Sequence, residues 1–328
     1  MTLAGPVVML APLHSRHLPF LIFNFVGLGG DMSGNKRPNM LLHNLSSKIA
    51  SIPMAATALV IFIGCSAWTV VYSFTGSRLL PKTRWVGFDQ YDRLWNTDRW
   101  AVSIENLAIY GGCMLFLSLS LGFVMAALLD QRIRFENTFR TIFLYPYALS
   151  FVVTGLTWQW MLNPTFGLQK VIRDFGFADF TFAPLTDSSL AIYGVLLAGL
   201  WQGTGLVMVI MLAGLRGIDE DIWKASRVDG IPKWKTYLII VLPLMRGAII
   251  TAVVLVATSI IKVFDLIVAQ TQGGPGLATE VPAKYVMDMM FRNQNLGQGF
   301  AASTMMLLFV LIILVPWTVY EYRERRRG

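Results

Sequence analysis

The stretch DIWKASRVDGIPKWKTYLIIVLP, Asp221 to Pro243, interrupts two long apolar runs with charge, glycine and proline. Asp219, Glu220 and Asp221 stand where a helix begins, and carboxylates there suit the positive end of the helix dipole. Glu220 and Lys224 are four apart and face each other on such a helix. Arg227 falls in its last turn. Gly230 supplies the left-handed position that closes it. Pro232 then suits the first turn of a second helix, which runs through Trp234, Lys235, Leu238 and Ile239 until Pro243 breaks it. The stretch predicts a helix–turn–helix, with Ile222, Trp223, Trp234 and Tyr237 available to grip a partner. A hairpin lying on lipid fits the spacing equally well.

The flanks decide the class. Ile49–Ser77, Leu107–Leu129, Thr141–Gln169, Leu190–Leu215 and Asn293–Tyr320 carry no charge, and Gly247–Thr271 carries only Lys262 and Asp265. About 20 apolar residues span a bilayer as helix. The reading is all-α, with six membrane helices over roughly 53–75, 107–129, 141–162, 190–214, 247–270 and 300–320. The chain has 328 residues, 55% hydrophobic and 14% charged. Soluble domains carry about 25% charge, so six buried soluble helices would lack a polar shell. Cys65 and Cys113 fall inside spans and read as small hydrophobes. No disulfide or metal site is expected, and the three histidines have no ligand spacing. The formal charge of +8 does not call for nucleic acid, because basic residues of membrane proteins gather in cytoplasmic loops.

Charge asymmetry sets the sidedness. The segments before span one, after spans two and four, and after span six sum to +17 against −9; the other three loops balance at +9 against −9. The basic side is cytoplasmic, which puts both termini and Asp221–Pro243 inside. The chain divides into an N-terminal segment 1–48, a transmembrane domain 49–322 with loop 216–243, and a basic tail 323–328. Leu18–Gly30 is too short to span. Two readings stand for it: an interfacial segment, or part of an upstream extension 1–31 with initiation at Met32. Trp85, Phe88, Tyr91, Trp95 and Trp100 cluster before span two and read as interfacial anchors.

Lys224-Ala225-Ser226, three residues, Gly230, nine residues and Ile240-Val241-Leu242-Pro243 match the spacing E-A-A-x3-G-x9-I-x-L-P. The chain here resembles the inner-membrane permeases of binding-protein-dependent importers of the ATP-binding-cassette (ABC) class. LYPYALS (144–150), WQWMLNPTFG (158–167) and FDLIVAQTQGGPG (264–276) extend the resemblance to the sugar permeases of that class. GGPGLATEVPAKYVMDMMF, with DIWKASRVDGIP, is most similar to the α-glucoside permeases; about 36–328 is covered. The resemblance implies the type I importer fold, multi-pass in a bacterial inner membrane, and a pore-forming subunit with no ATPase or cofactor of its own. It further implies a second homologous permease, two ATPase subunits holding ATP and Mg, a periplasmic sugar-binding protein, and surrounding lipid. The signature loop becomes a coupling helix seated on an ATPase, with Glu220, Trp223, Lys224, Ala225, Ser226, Asp229 and Gly230 as its contact residues. The family's first signature residue is Glu; here it is Lys224, so that carboxylate contact does not carry over, and Glu220 or Asp221 stands one turn earlier. The mechanical role falls on Ala225, Asp229 and Gly230.

A sugar path needs polar and aromatic groups within apolar helices. Candidates are Thr154, Trp158 and Gln159 in span three, Trp201, Gln202 and Thr204 in span four, and Thr258, Ser259, Lys262 and Asp265 in span five. Charges inside spans mark pathways or pair with each other; for Lys262 and Asp265 both readings stand, as does sealing against a second permease. Interhelical hydrogen bonding is the plainer role of the others, with Gly155, Gly203 and Gly205 permitting close packing. Pro146 and Pro316 are expected to kink their helices. Gly273–Gly276 lacks the Lys-Ser/Thr of a phosphate-binding loop and reads as a turn before an outer segment, Val281–Phe291. An ion-gradient-driven transporter is the alternative, but no internal repeat is evident. A permease for another small carbohydrate or polyol is a further one. No HExxH, no GxSxG and no carboxylate pair within the spans supports an enzyme.

Overall fold

In a computed structural model, residues 53–54, 56–57, 59–131, 133–261 and 263–327 are described, and they are mostly helical. The readings of Leu18–Gly30, Met32 and segment 1–48 lie outside them, as does Lys262. The chain divides into two compact units, Met1–Ala67 and Trp68–Gly328. In the first, the Thr57 hydroxyl donates to the Pro53 carbonyl (2.7 Å) and a π-helical run occupies Leu59–Gly64.

The second unit is built on helices α1 (Cys65–Tyr72, which begins just before it), α2 (Asp89–Trp95), α3 (Asp98–Leu129), α4 (Glu136–Leu144), α5 (Phe151–Met161), α6 (Leu168–Asp174) and α7 (Ala191–Arg216). They continue with α8 (Glu220–Val228), α9 (Lys233–Leu244), α10 (Arg246–Ile261), α11 (Asp265–Gln270), α12 (Pro282–Met287) and α13 (Leu296–Arg327).

The centre is the packing of α3 on α7, with α10 against both. The buried face of α3 reads Ser103, Asn106, Tyr110, Met114, Ser118, Gly122, Ala126 and Leu129, a stripe stepping by three or four residues as one helix face must. Small residues on that stripe bring the backbones together. A methyl group at Gly122 would lie 2.7 Å from Val207 Cγ1, and one at Gly205 would lie 2.0 Å from the Phe143 carbonyl oxygen. Neither position admits a side chain. In lipid, where apolar surface is no driving force between helices, such close approach is what holds a bundle. Along its most apolar window α7 is 61% buried, against 28% for α3 and 22% for α13. So α7 is the inner helix, and α3 and α13 leave most of their surface outward.

Among the described residues, three helices are long and apolar enough to cross a membrane: Asp98–Leu129, Ala191–Arg216 and Leu296–Val319. Two bent pairs bring the number to five: Glu136–Ala148 with Phe151–Met161 at 98°, and Lys233–Leu244 with Arg246–Ile261 at 75°. The expected first span is represented by the shorter apolar helix Leu59–Tyr72. The fourth expected span agrees closely. The second starts nine residues early, taking in Asp98, Arg99 and Glu105. The third is not one helix. Pro146 sits in a 3₁₀ turn, Tyr145–Ala148; Leu149 is extended, and Ser150 re-caps α5 by accepting from the Val153 N–H. The fifth stops at Ile261, and Asp265 opens a new helix, so Thr258 and Asp265 do not share one continuous helical stripe. The sixth runs from Leu296 through Pro316 to Arg327 without interruption, and the expected tail is largely an extension of α13.

Candidate functional site: the 216–243 hairpin and the polar break in the bundle

The hairpin forms as its residues dictate. Asp219 is the N-cap of α8, its carboxylate accepting the Asp221 N–H at 3.0 Å. Ile231 N–H donates to the Ser226 carbonyl at 3.0 Å and Gly230 N–H to that of Arg227 at 3.2 Å, with Gly230 at φ +67°. These are the two bonds of a Schellman closure. No heavy atom lies within 4 Å of where a Gly230 Cβ would be. Glycine is needed there for its backbone conformation, not for space. Pro232 is the N-cap of α9 rather than a first-turn residue. Pro243 does not end the helix. A π-helical turn, Thr236–Val241, precedes it and the helix continues to Leu244, with the bend at Met245. A proline lacks the N–H of a helical turn and crowds the preceding carbonyl; the widened turn accommodates both.

The exposed face of the hairpin differs from expectation. Trp223 and Tyr237 pack inward, with ring centroids 5.3 Å apart, and Tyr237 meets Phe123 of α3 at 6.2 Å. Ser226 is buried and its hydroxyl donates to the Trp223 carbonyl at 3.1 Å. Of the four rings and aliphatics expected to grip, Trp234 alone is well exposed. The outward face instead carries Asp221, Lys224, Ala225 and Val228, with Val228 86% exposed. Stepping 100° per residue from Trp223 and Ser226 would have found Val228. Lys224 bonds Asp221 at 3.0 Å and approaches Glu220 to 3.7 Å. All three are exposed, so each pair is worth only a few tenths of a kcal/mol. Glu220, Asp229 and Gly230 are also exposed.

Arg216, at the end of α7, bonds Glu136 at 2.5 Å and reaches Asp130 at 3.8 Å, tying the ends of α7, α3 and α4 beside the hairpin. Burial raises the Asp130 carboxyl above the usual carboxylate range, Arg216 opposes that, and Glu136 adds to it. The hairpin thus rests on α3 through the edge-to-face contacts of Trp223, Tyr237 and Phe123.

Among the path candidates, the structure brings together those around the break between α4 and α5. Gln202 of α7 donates to the Leu149 carbonyl at 2.7 Å, satisfying a backbone group that the break frees. Trp158 and Trp201 meet edge to face at 6.1 Å, Trp201 remaining partly exposed. The Thr154 hydroxyl and the Gln202 Oε1 are buried without a hydrogen-bond partner among the described residues. Buried polar atoms in that condition are uncommon and call for water or ligand. A Cβ at Gly155 would lie 2.7 Å from Ala269, so α11 packs directly on α5. Thr204, Thr258 and Ser259 bond carbonyls of their own helices. Gln159 and Asp265 make no side-chain contact of this kind among the described residues, and Asp265 is exposed.

One cluster escaped the sequence reading. Glu280, 1% exposed, accepts from Arg99 Nη2 at 2.6 Å and pairs with Lys284 at 3.2 Å; Lys284 also pairs with Asp288 at 2.8 Å. Arg99 also binds Asp288, which Arg292 approaches to 3.4 Å. Asn106 donates to the Leu277 and Glu280 carbonyls. Burial pushes the Asp288 carboxyl up, but hydrogen bonds from Lys284 and Arg99 outweigh it and hold the group below its ordinary range. The cluster anchors α12 to the start of α3. Glu280, Lys284, Asp288 and Arg292 recur every four residues with alternating sign, a legible helical signal. Arg99, 181 residues away from Glu280, was not legible.

The family of binding-protein-dependent transport system inner membrane components matches residues 118–327. The chain is 36% identical over 264 residues to a probable ABC transporter permease protein of Pyrococcus horikoshii, covering 79% of this chain and 90% of that one. It is 31% identical over 277 residues to a xylose/arabinose import permease protein of Haloferax volcanii (83% and 86% covered), and 28% identical over 236 residues to a trehalose/maltose transport system permease protein of Thermococcus litoralis (71% and 78%). A chain in the crystal structure of a bacterial ABC transporter involved in import of the acidic polysaccharide alginate shares the fold, with TM-score 0.71 at 18% identity over 87% of this chain and 98% of that one. The matched region takes in α7, the hairpin and α13 together, and with these relatives it establishes that the chain belongs to the binding-protein-dependent transport system inner membrane component family, the permeases of ABC importers.

Proposed function

We propose that the chain is the pore-forming subunit of an ATP-driven importer for an α-glucoside-type sugar. Energy reaches it through the 216–243 hairpin from a separate ATPase. The observation that carries this reading is the hairpin itself: a capped helix closed by a Schellman turn at signature spacing, its outer face small and apolar at Ala225 and Val228, its inner face meeting α3 edge to face through Trp223, Tyr237 and Phe123. A partner surface seated on that face would push on α3 directly. The two bent pairs and Leu59–Tyr72 complete six crossings, with both termini and the hairpin on the cytoplasmic side of a bacterial inner membrane. A second permease, two ATPases with ATP and Mg, and a periplasmic binding protein complete the assembly. Glu220, Lys224, Ala225, Asp229 and Gly230 meet the ATPase, whereas Trp223 and Ser226 support them from behind. The sugar passes the break at Leu149–Ser150, by Thr154, Trp158, Trp201 and Gln202.

The α-glucoside assignment rests on residues 273–291 with 221–232 and on the trehalose/maltose permease relative. A pentose importer is the second reading, favoured by the higher identity to the xylose/arabinose import permease. Calorimetric titration of the cognate binding protein with maltose, trehalose, xylose and arabinose separates them. Tight binding of a disaccharide supports the first reading, and binding of a pentose alone supports the second.

A further inference from the structure

At the end of α3 opposite the hairpin lies a cleft of about 170 Å³ between α11 and the helical segment 282–292. Phe264 and Gln272 line one side; Met287, Asp288, Phe291 and Arg292 line the other. At about 30 Å³ per water it holds some six waters. That is well short of the ~300–1,000 Å³ of pockets enclosing drug-sized molecules, so the space fits one ring and not a chain of them.

The lining has two characters. The walls are aromatic and thioether, with Phe291 strongly exposed. The floor is Lys284 and Asp288, whose charges are answered within the protein by Glu280, Arg99 and Arg292. Those partners occupy its polar atoms, so the floor is electrically neutral and the groups left to hydrogen-bond a ligand are the exposed side chains of Gln272 and Arg292 at the rim. Gln272 adds a third feature. It holds φ +55°, a conformation that costs a non-glycine residue roughly 1 kcal/mol or more. The residue is exposed, so its carboxamide is free to turn to a ligand at the cleft mouth; its backbone N–H is bonded to the Ile267 carbonyl. A strained residue that places an unspent amide at a cleft between two phenylalanines is an arrangement suited to a ligand with one apolar face and several hydroxyls.

We propose that this cleft is a binding subsite for a single pyranose ring, stacked between Phe264 and Phe291 and hydrogen-bonded at the rim by Gln272 and Arg292. The inference rests on the reading of the chain as a sugar-importer subunit and adds to it a second sugar contact, remote from the break at Leu149–Ser150.

The test uses the complete importer in nanodiscs, in a Cys65→Ser/Cys113→Ala background carrying Met287→Cys. The rate of thiol labelling by a hydrophilic maleimide is followed while D-glucose, D-galactose, D-xylose or inorganic phosphate is added. At least one of the sugars slows labelling saturably, and phosphate does not. Adding Gln272→Leu raises the half-protecting concentration about five-fold, as loss of one net hydrogen bond of ordinary strength requires. Absence of protection by all three sugars in a complex that still imports sugar overturns the subsite and leaves the transport reading standing. Protection by phosphate that Arg292→Gln abolishes overturns it in favour of an anion site. Protection by a sugar in a complex that hydrolyses ATP but imports no sugar sustains the subsite and overturns the transport reading.

Discussion

Replacing Gly230 with valine isolates the turn from everything else. The φ of +67° is left-handed, and no atom lies within 4 Å of the new Cβ. The cost is therefore conformational alone, about 1–2 kcal/mol for an L-residue there, toward the upper end for a β-branched one. Against a total stability on the order of 5–15 kcal/mol, that does not stop folding or insertion. It does act on the two bonds that close the turn, Ile231 to Ser226 and Gly230 to Arg227. If both yield together, the hairpin's open form gains about 5- to 30-fold relative to the closed one. Transport coupled through a rigid arm falls accordingly. The assay is sugar uptake per ATP hydrolysed, in proteoliposomes containing the whole importer. Gly230→Val should lower the ratio several-fold at unchanged assembly. Gly230→Asn, which tolerates the left-handed region, should retain most of it. A valine variant that couples like the parent, or an asparagine variant as impaired as valine, refutes the reasoning.

Val228→Asp should leave the melting temperature of the isolated permease unchanged, because the side chain is exposed, while reducing copurification of the ATPase at least ten-fold; undiminished copurification would take Val228 out of the interface. Arg99→Met leaves Glu280 and Asp288 to share Lys284 as their one buried cation and should cost about 1.5–3 kcal/mol, read as a lowered melting temperature, with Arg99→Lys recovering part of it. Asp288 has a lowered folded-state pKa, so its contribution is present in full above the ordinary carboxylate value near 3.8 and is lost as pH falls through the lower folded value. The stability gap between the parent and Asp288→Asn should hold from neutrality to about pH 5 and narrow progressively as pH falls past 3.8 toward the lower folded value; a gap that does not narrow below 3.8 contradicts the assignment.

The sequence made the bundle visible because lipid imposes a length and an apolar composition that charge-free runs reveal directly. It showed the hairpin because capping, turn and signature residues lie within 25 positions of one another. It did not show the breaks. The run at 141–162 stays apolar through Leu149, and hydropathy does not register a 98° bend made by backbone conformation and secured by Gln202 from another helix; at 247–270 Lys262 and Asp265 flank the break after Ile261, but two charges inside a span do not by themselves mark a helix end. Nor did it show which way α8 faces. Trp223 has the character of an exposed anchor until Tyr237 and Phe123 are found beside it. The ion cluster at Glu280 needed Arg99, brought in by the length of α3, about 48 Å at 1.5 Å per residue.

The most direct measurement is uptake of radiolabelled sugar against a gradient into proteoliposomes holding ATP. The vesicles contain this chain with its permease partner and binding protein, with or without the ATPase subunits. Accumulation above the external concentration only when the ATPases are present is the predicted result. Accumulation by this chain without any ATPase would contradict the account.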